Sequence, residues 1–294
     1  MFPPRAILAA VDFSEPSRVA LTCAARLAKQ CRAQLHVLHA EDPLLANAAR
    51  AAGIDLTAET RAELATFMQG AFPAGEWTPS HHVVDGSPVE AICDIAERES
   101  ADLIVVGARG MSGLETAVFG STTEGVLRKA DTSVLVVPES WTPPRPDLND
   151  LTGTGPVVVG LEATPASIAA ARVGAELAAL LGTEVEVRHV VPPISVLARW
   201  SSHAEPAQRQ RIEAARAEIA SAAHLAGIEP AAVRVEVGSV AGQLAEAVAV
   251  GKGRHPLLVL GRRTSAERGG APGSTAYRVL SLAAAPVLMW LPEH

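Results

Sequence analysis

A run of glycines and hydroxyl residues has the residue types and the spacing of an anion-binding loop. It begins at Gly107, continues to Gly110 and, after a long insertion, reaches Gly120-Ser121-Thr122, which gives the pattern Gly-x₂-Gly-x₉-Gly-Ser. Glycine lets the backbone adopt positive φ and lets a ligand approach without meeting a Cβ atom. The pattern is neither the Walker loop, which ends in Gly-Lys-Ser/Thr, nor the Rossmann Gly-x-Gly-x-x-Gly.

The end of this loop points to phosphate chemistry. We predict a helix over Gly120–Lys129, and the first N–H groups of a helix have no partner inside it. Free amides and the positive end of the helix dipole favour an anion, and the hydroxyls of Ser121, Thr122 and Thr123 can donate to phosphate oxygens. The alternative is that the glycines only form a tight turn and Ser121 only caps a helix. The combination of three glycines with a hydroxyl run favours binding.

The elements that must position this loop alternate between strand and helix. Ala6–Val11 is an apolar run typical of a strand covered on both faces, and Ser14 and Pro16 then begin a helix that runs to about Gln30. The other predicted elements of this half are strands at Gln34–Ala40, His81–Val84, Leu103–Val106 and Val134–Val137, and helices at Thr57–Gln69 and from Ser87 to about Glu99. This alternation predicts a doubly wound α/β fold with parallel strands, in which ligands lie beyond the carboxyl ends of the strands.

The whole pattern occurs twice. The blocks that recur in order, about 150 residues apart, are Val11-Asp12 with Leu161-Glu162, Leu35–His39 with Val185–His189, Leu103–Gly107 with Leu257–Gly261, and Gly120-Ser121-Thr122 with Gly273-Ser274-Thr275. Between the copies lies a stretch rich in proline and glycine, from Pro138 to Pro156, which suits a linker. We therefore predict two domains, 1–150 and 151–294, with a linker at about 139–155.

Composition excludes several classes of function. The net charge of −7 argues against a general binder of nucleic acid, and the aromatic content of 3% argues against base-stacking platforms. No apolar run reaches the roughly 18 residues of a membrane span. The three cysteines have no metal-ligand spacing, and the amino-terminal segment lacks the apolar stretch of a secretory signal. We expect buried thiols in a cytoplasmic protein.

Four segments together resemble the universal stress protein family. They are the glycine loop, Ala10-Val11-Asp12 at the end of the first strand, the turn Gly86-Ser87-Pro88, and the closing Val136-Val137-Pro138. The resemblance covers nearly the whole chain as two tandem copies. It implies in each copy a five-stranded parallel sheet of order 3-2-1-4-5, similar to the adenine nucleotide alpha hydrolase fold, which places strand one beside strand four.

The resemblance also implies an ATP site in the first copy, often with a divalent metal such as Mg²⁺ at the phosphates. The adenine and ribose would be lined by Ala10, Val11, Asp12 and the backbone of Ala40. The ribose and phosphates would be enclosed by Gly107, Arg109 and Gly110. The phosphate tail would be bound by Gly120, Ser121, Thr122 and Thr123. Asp12 would reach either a ribose hydroxyl or a metal-bound water, and the alternative is that it supports the start of the following helix beside Ser14.

The second copy departs from this pattern. Glu162 replaces Asp12, and Thr264 stands in the place of Gly110. If that position requires positive φ, a β-branched residue there costs about 1–2 kcal/mol. Arg262, Arg263 and Arg268 add positive charge that suits phosphate, although exposed arginines are more often a solvated surface. We interpret this loop as degenerate, with altered or no nucleotide binding.

Three pairs of titratable residues are discounted as sites. His81 and His82 are neighbours in a predicted strand, so their rings point to opposite faces and make a poor metal pair. Glu97 and Glu99 are interpreted as solvated charge, and His39 and His189 as structural residues at the ends of equivalent strands. No residue offers an obvious general base over a phosphate, so we predict no catalytic residue, and any ATP hydrolysis would be slow.

The favoured hypothesis is an ATP-binding stress-response sensor or regulator whose nucleotide state alters its association with an unidentified protein or with itself. The alternatives are an interaction scaffold without nucleotide and an adenylating or pyrophosphate-releasing enzyme. Val134–Val137 and Val287–Trp290 form apolar sheet edges that need cover, so we expect the halves to pair through them as an internal pseudo-dimer. A homodimer of two chains is a further expectation.

Overall fold

Both halves of the chain fold as alternating strands and helices. The computed structural model describes residues 2–69, 71, 79–110, 120–142, 155–194, 201–249, 254–262 and 274–292, and only the backbone of 201–203. The strands of the first half are β1 (Ala6–Ala10), β2 (Gln34–Glu41), β3 (Ser80–Asp85), β4 (Leu103–Gly107) and β5 (Ser133–Val137). Its helices are α1 (Glu15–Cys31), α2 (Pro43–Ala51), α3 (Leu56–Gln69), α4 (Pro88–Arg98) and α5 (Ser121–Lys129).

The second half repeats this arrangement. Its strands are β6 (Val157–Gly160), β7 (Val185–Val191), β8 (Val233–Val237), β9 (Leu257–Gly261) and β10 (Val287–Trp290). Its helices are α6 (Pro165–Leu181), α7 (Ser201–Leu225), α8 (Val240–Ala247) and α9 (Ser274–Leu282), with a 3₁₀ turn at Pro230–Ala232. One long helix, α7, follows β7, where two shorter helices, α2 and α3, follow β2.

The strand order matches the one that the family resemblance implies. The first half has the order β3-β2-β1-β4-β5 and the second β8-β7-β6-β9-β10, so each half has the order 3-2-1-4-5. β1 pairs in parallel with β2 on one side and with β4 on the other. The order therefore reverses between β1 and β4, and residues that follow these two strands meet at one edge of the sheet.

The two halves share one continuous sheet of ten strands. β5 and β10 pair antiparallel, with Leu288 opposite Leu135, as the two apolar edges predict. Two further contacts lock this joint. The Leu291 amide donates to Ser133 Oγ at 3.0 Å, and the Arg262 guanidinium donates to the carbonyls of Ala130 and Thr132 in the first half. Covering these edges removes two templates for unwanted strand pairing.

The core explains why these segments fold as they do. The side chains of β4 and β5 are buried along their whole length, because helices cover both faces of the sheet. Helix α1 begins at Glu15 because Ser14 Oγ accepts from the Ser17 amide and Pro16 fits the first turn. It ends at Cys31 because Arg32 adopts a left-handed conformation with φ of 55°.

Some sequence expectations differ from the structure or lie outside it. Helix α2 was not predicted, although Asp42 Oδ1 accepts from the Leu44 amide at 2.7 Å and caps it. Burial raises the pKa of the Cys23 and Cys31 thiols to about 12. Of the three cysteines expected to be buried, Cys23 is buried, whereas Cys31 and Cys93 are half-buried. Among the described helices, none has the length and apolar composition needed to cross a bilayer. The domain boundary near Asp150 lies outside the described residues and stays a prediction.

Candidate functional site

Asp12 lies directly after β1 and faces the glycine loop. Its Oδ1 accepts hydrogen bonds from the Ser14 amide at 3.2 Å and from Ser14 Oγ at 2.5 Å, and its own amide donates to Ser17 Oγ at 3.3 Å. These contacts fix the carboxylate against the start of α1. The alternative role from the sequence, support for the beginning of that helix, is therefore a real one. It engages Oδ1, while Oδ2 faces the loop that follows β4 at Gly110.

Gly110 approaches this carboxylate so closely that no side chain fits between them. A Cβ built on Gly110 would stand 2.5 Å from Asp12 Oδ2, a separation that forces one of the two to move. The strand order brings these residues together although they are far apart in the sequence. The juxtaposition expected from the order 3-2-1-4-5 is therefore present in the first half.

The amino end of α5 completes this edge. The amide of Gly120 donates to the Ala108 carbonyl at 3.0 Å, and a Cβ on Gly120 would lie 3.5 Å from the Gly110 nitrogen. The first amide bonded within the helix belongs to Glu124, so the amides before it have no partner inside the helix. Ser121 is exposed and Thr122 is half-buried beside them. The structure thus brings Asp12, Gly110 and the start of α5 into one place.

Two residues of the predicted site have structural roles that the sequence did not show. Thr123 is buried, and its hydroxyl donates to the Gly107 carbonyl at 2.7 Å, so that proton is not available to a phosphate. A Cβ on Gly107 would stand 3.1 Å from the Pro16 carbonyl oxygen, so the glycine permits close packing of α1 on β4. Both residues hold the loop in place, whereas the prediction made them direct ligands.

The side expected to bind adenine is built from the ends of β1 and β2. Ala10 and Ala40 are half-buried there, and Val11 is buried. Both backbone groups of Val11 are engaged: its amide donates to the Leu38 carbonyl at 2.8 Å, and its carbonyl accepts from His39 Nδ1 at 2.9 Å. Val11 therefore offers a ligand apolar surface only.

His39 has the structural role that the sequence predicts. Its Nδ1 donates to Val11, and its ring lies against Phe13, with 4.3 Å between the centroids. Phe13 adopts φ of 64°, which is uncommon for a residue other than glycine. The histidine thus stabilises the turn that follows β1. Arg109, by contrast, is exposed at the loop.

The equivalent edge of the second half has the same supporting hydrogen bonds, beside a cavity. A cavity of about 580 Å³ lies at the carboxyl ends of β6, β7 and β9, lined by Gly160, Glu162, His189, Leu260 and Thr275 among others. Glu162 is exposed, and its amide donates to Ser167 Oγ at 3.2 Å, as the amide of Asp12 does to Ser17. His189 Nδ1 donates to the Leu161 carbonyl at 2.7 Å, as His39 does to Val11.

Arg262 is not a solvated arginine. It is 3% exposed, and its guanidinium binds carbonyls of the first half across the β5–β10 joint. The interpretation of this arginine as surface charge or as a phosphate ligand is therefore wrong, because its charge serves the joint between the halves. The other departures noted in this loop, Thr264, Arg263 and Arg268, lie outside the described residues, and so does Gly273, the counterpart of Gly120.

Solved structures of other proteins have the same fold as this chain. A universal stress protein from Archaeoglobus fulgidus superposes with a TM-score of 0.58 over 97% of this chain and 95% of that chain, at 19% identity. A putative universal stress protein from Pseudomonas aeruginosa gives 0.58 over 99% and 94%, also at 19% identity. At these identities the likeness concerns the fold. The molecule is thus a tandem α/β protein with a candidate site at the switch point of its first half.

Sequence comparison assigns the family. The universal stress protein family model matches residues 4–138 and 154–290, so the chain belongs to that family, in two tandem copies. The stress response protein NhaX of Bacillus subtilis is 29% identical over 169 residues, which cover 47% of this chain and 99% of that protein. A universal stress protein of Methanocaldococcus jannaschii is 42% identical over 66 residues, 22% of this chain and 39% of that protein.

Proposed function

We propose that the first half binds ATP at the carboxyl ends of β1 and β4 and that the protein is a nucleotide-dependent sensor or regulator in the stress response. One observation carries this proposal. The Asp12 carboxylate and the start of α5 converge on Gly110, where a Cβ would stand only 2.5 Å from Asp12 Oδ2 and a side chain has no room. The glycine lets the loop lie close to both the carboxylate and the helix start, so a nucleotide along this loop would place its ribose or metal-bound water at Asp12 and its phosphates at the amides of α5.

The phosphates fit the amino end of α5. The amides of Ser121 and Thr122 and the positive end of the helix dipole favour negative charge there. Ser121 is exposed and Thr122 is half-buried at this end of the helix. Thr123 acts one step behind, because its hydroxyl holds the Gly107 carbonyl and so fixes the path of the loop. Arg109 is exposed at the same loop and supplies positive charge near this end.

Asp12 fits a neutral or cationic part of the ligand. A carboxylate repels phosphate oxygens, so direct contact with the phosphate tail is unfavourable. It accepts hydrogen bonds well, which suits a ribose hydroxyl, and it equally suits water bound to Mg²⁺ at the phosphates. The adenine would then lie toward Ala10, Val11 and Ala40, at the ends of the two neighbouring strands β1 and β2.

The experiment is a calorimetric titration with ATP and Mg²⁺ of the full chain and two glycine variants. Gly110→Val places a side chain where Asp12 stands. Gly242→Ala is the matched control, since its Cβ would meet no atom closer than 3.7 Å. Displacement of Asp12 and of the loop that lowers the binding free energy by about 1–3 kcal/mol corresponds to a roughly 5- to 150-fold loss of affinity. We expect the control to bind like the unaltered chain. Equal affinity in all three proteins would contradict the assignment of the site.

The second candidate is an interaction scaffold without nucleotide. It is favoured by Gly107 and Thr123, whose packing and hydrogen bond account for part of the glycine loop without any ligand. Release of adenine nucleotide from purified protein on heat denaturation would favour the first candidate. A sample that releases none and also fails to bind added ATP would favour the scaffold.

A further inference from the structure

A cluster of two histidines and one glutamate lies in the first half, on the face of the sheet that α4 covers. His36 of β2 and His82 of β3 approach through Nδ1 and Nε2 at 3.2 Å, and their rings stack with 5.5 Å between the centroids. Glu99, directly after α4, places Oε2 at 3.8 Å from the same His36 Nδ1. One atom from each of the three side chains lies within 4.8 Å of the others.

We propose that His36, His82 and Glu99 form a site for a divalent transition-metal cation, with Zn²⁺ as the best match. Two imidazoles and one carboxylate are a common donor set for zinc, with metal–ligand bonds of about 2.0–2.2 Å. In a tetrahedron with such bonds the ligand atoms stand roughly 3.3–3.6 Å apart, and two of the observed separations, 3.2 and 3.8 Å, lie on either side of that range. Water would complete the fourth position, as in other zinc sites with three protein ligands.

Burial holds the central ligand in position. The His36 side chain is 8% exposed, so its rotamer is fixed by the packing around β2. Within the described part of the chain, Nε2 of this ring has no hydrogen-bond partner. The contacts of His36 with His82 and Glu99 are both made through Nδ1, the atom directed at the other two ligands. Ligands fixed by the fold bind without a further ordering cost.

Charge and protonation suit a cation. Burial lowers the pKa of His82, which keeps its ring in the neutral form that binds a metal. The hydrogen bond from Arg98 lowers the pKa of Glu99, which keeps that carboxylate ionised. These shifts favour a neutral His82 ring and an ionised Glu99 carboxylate, which are the charge states that bind a metal.

Arg98 competes with the metal. Its Nη2 lies 3.1 Å from His82 Nδ1 and its Nε lies 2.9 Å from Glu99 Oε1. Because a guanidinium only donates, His82 Nδ1 accepts, and the proton of the neutral ring is on Nε2, where it bonds to His36. A metal at Nε2 requires that proton to leave while Nδ1 takes one up, after Arg98 has moved. The Arg98 side chain is 57% exposed, so solvent can receive it.

The site is separate from the proposed nucleotide site. His36 precedes Ala40 by four residues on β2, which corresponds to about 13 Å along an extended strand. The two sites therefore lie at different levels of the sheet. His81 and His82 are successive residues of β3, so their side chains point to opposite faces, and the partner of His82 is on the neighbouring strand. Glu99 is half-buried and paired, so its interpretation as solvated charge is wrong.

The test titrates Zn²⁺ alone into the metal-free full chain in competition with a chromogenic chelator. The ligand variants are His82→Asn and Glu99→Gln, and the matched controls are His81→Asn and Glu97→Gln, two exposed neighbours of the same residue types. Glu99→Gln keeps the shape of the side chain, so a loss of fold would not explain its result. Tetrahedral Co²⁺ absorption and the Zn²⁺-dependent rise in melting temperature serve as second readouts.

We expect the controls to bind Zn²⁺ like the unaltered chain and each ligand variant to bind at least tenfold more weakly, because loss of even an outer partner costs about 10–100-fold. Arg98→Gln removes the competing cation and should bind more tightly. Equal affinity in the ligand variants and the controls would overturn the proposal, since binding would then lie elsewhere. Absence of Zn²⁺ binding in the unaltered chain would overturn it as well. Neither result depends on whether ATP binds.

Discussion

The two halves carry the same scaffold at their switch points but different chemistry on it. In both, a histidine Nδ1 donates to the carbonyl of the residue after the first strand, which is Val11 or Leu161. The amide of the next residue, Asp12 or Glu162, donates to a serine hydroxyl of the following helix. In the first half the carboxylate after that strand lies against Gly110. In the second, Glu162 is exposed beside a cavity of about 580 Å³.

This contrast separates the residues that build the edge from those that give it a function. His39, Ser17 and Thr123 belong to the first group, since their polar atoms are engaged within the protein. The residue that follows the glycine at the end of the fourth strand differs between the halves. It is Ala108 in the first half and Arg262 in the second, where the guanidinium binds the opposite half. The first half has a small alanine at this position, whereas the second half has an arginine there that joins the two halves.

The largest effect should come from removing the arginine of the joint. Arg262→Met keeps much of the volume but leaves the carbonyls of Ala130 and Thr132 without their charged donor, at a cost of about 3 kcal/mol of the free energy of unfolding. Chemical denaturation measures this loss of unfolding free energy. Arg216→Met, at a side chain that is 58% exposed, is the control and should change stability by less than about 0.5 kcal/mol. Similar effects of both substitutions would show that the joint gains little from Arg262.

The glycines that end β4 and β9 should differ in their tolerance of a methyl group. A Cβ on Gly261 would lie 2.7 Å from the backbone of Ala166, whereas one on Gly107 would lie 3.1 Å from Pro16. We expect Gly261→Ala to destabilise by about 2 kcal/mol and Gly107→Ala by less than about 1 kcal/mol. Thermal and chemical unfolding of both variants would show which is less stable. A larger loss of stability in Gly107→Ala than in Gly261→Ala would contradict the packing of these two glycines.

The two threonines at the start of α5 should separate structure from binding. Thr123→Val removes the donor to the Gly107 carbonyl and should cost about 1–2 kcal/mol of stability, which chemical denaturation measures. Thr122→Val, at the half-buried neighbouring residue, should change stability by less than about 0.5 kcal/mol. If Thr122→Val proved the more destabilising of the two, the assignment of Thr123 as the residue that holds the loop would fail.

The carboxylates at the two switch points should differ in their effect on the proposed ATP binding. Asp12→Asn removes the charge that faces the loop and should weaken binding by about tenfold, or roughly 1.4 kcal/mol. Glu162→Gln should leave the ATP affinity of the chain unchanged. Titration calorimetry of both proteins gives the comparison directly. A loss with Glu162→Gln alone would move the nucleotide to the second half.

Much of the fold was predictable from the order of short apolar runs and helix starts. Ser14 before Pro16, and the apolar run at Leu103, predict element limits within a residue or two of those observed. Helix α2 was missed, because its apolar face is short and only Ala46 and Ala49 of its residues are buried. The strand order came from the family resemblance, since alternation of strands and helices fixes parallel pairing but leaves the order open.

The sequence by itself determined the repeat, the elements and the two apolar edges, because hydrophobic periodicity and turn residues act locally along the chain. Only the tertiary structure decided what each polar group does. Thr123 donates inward, Arg262 crosses to the other half, and His82 meets His36 on the neighbouring strand and not His81 beside it. These partners are distant in sequence, and a short-range pattern holds no information about which side chains strand pairing and helix packing bring within hydrogen-bond distance.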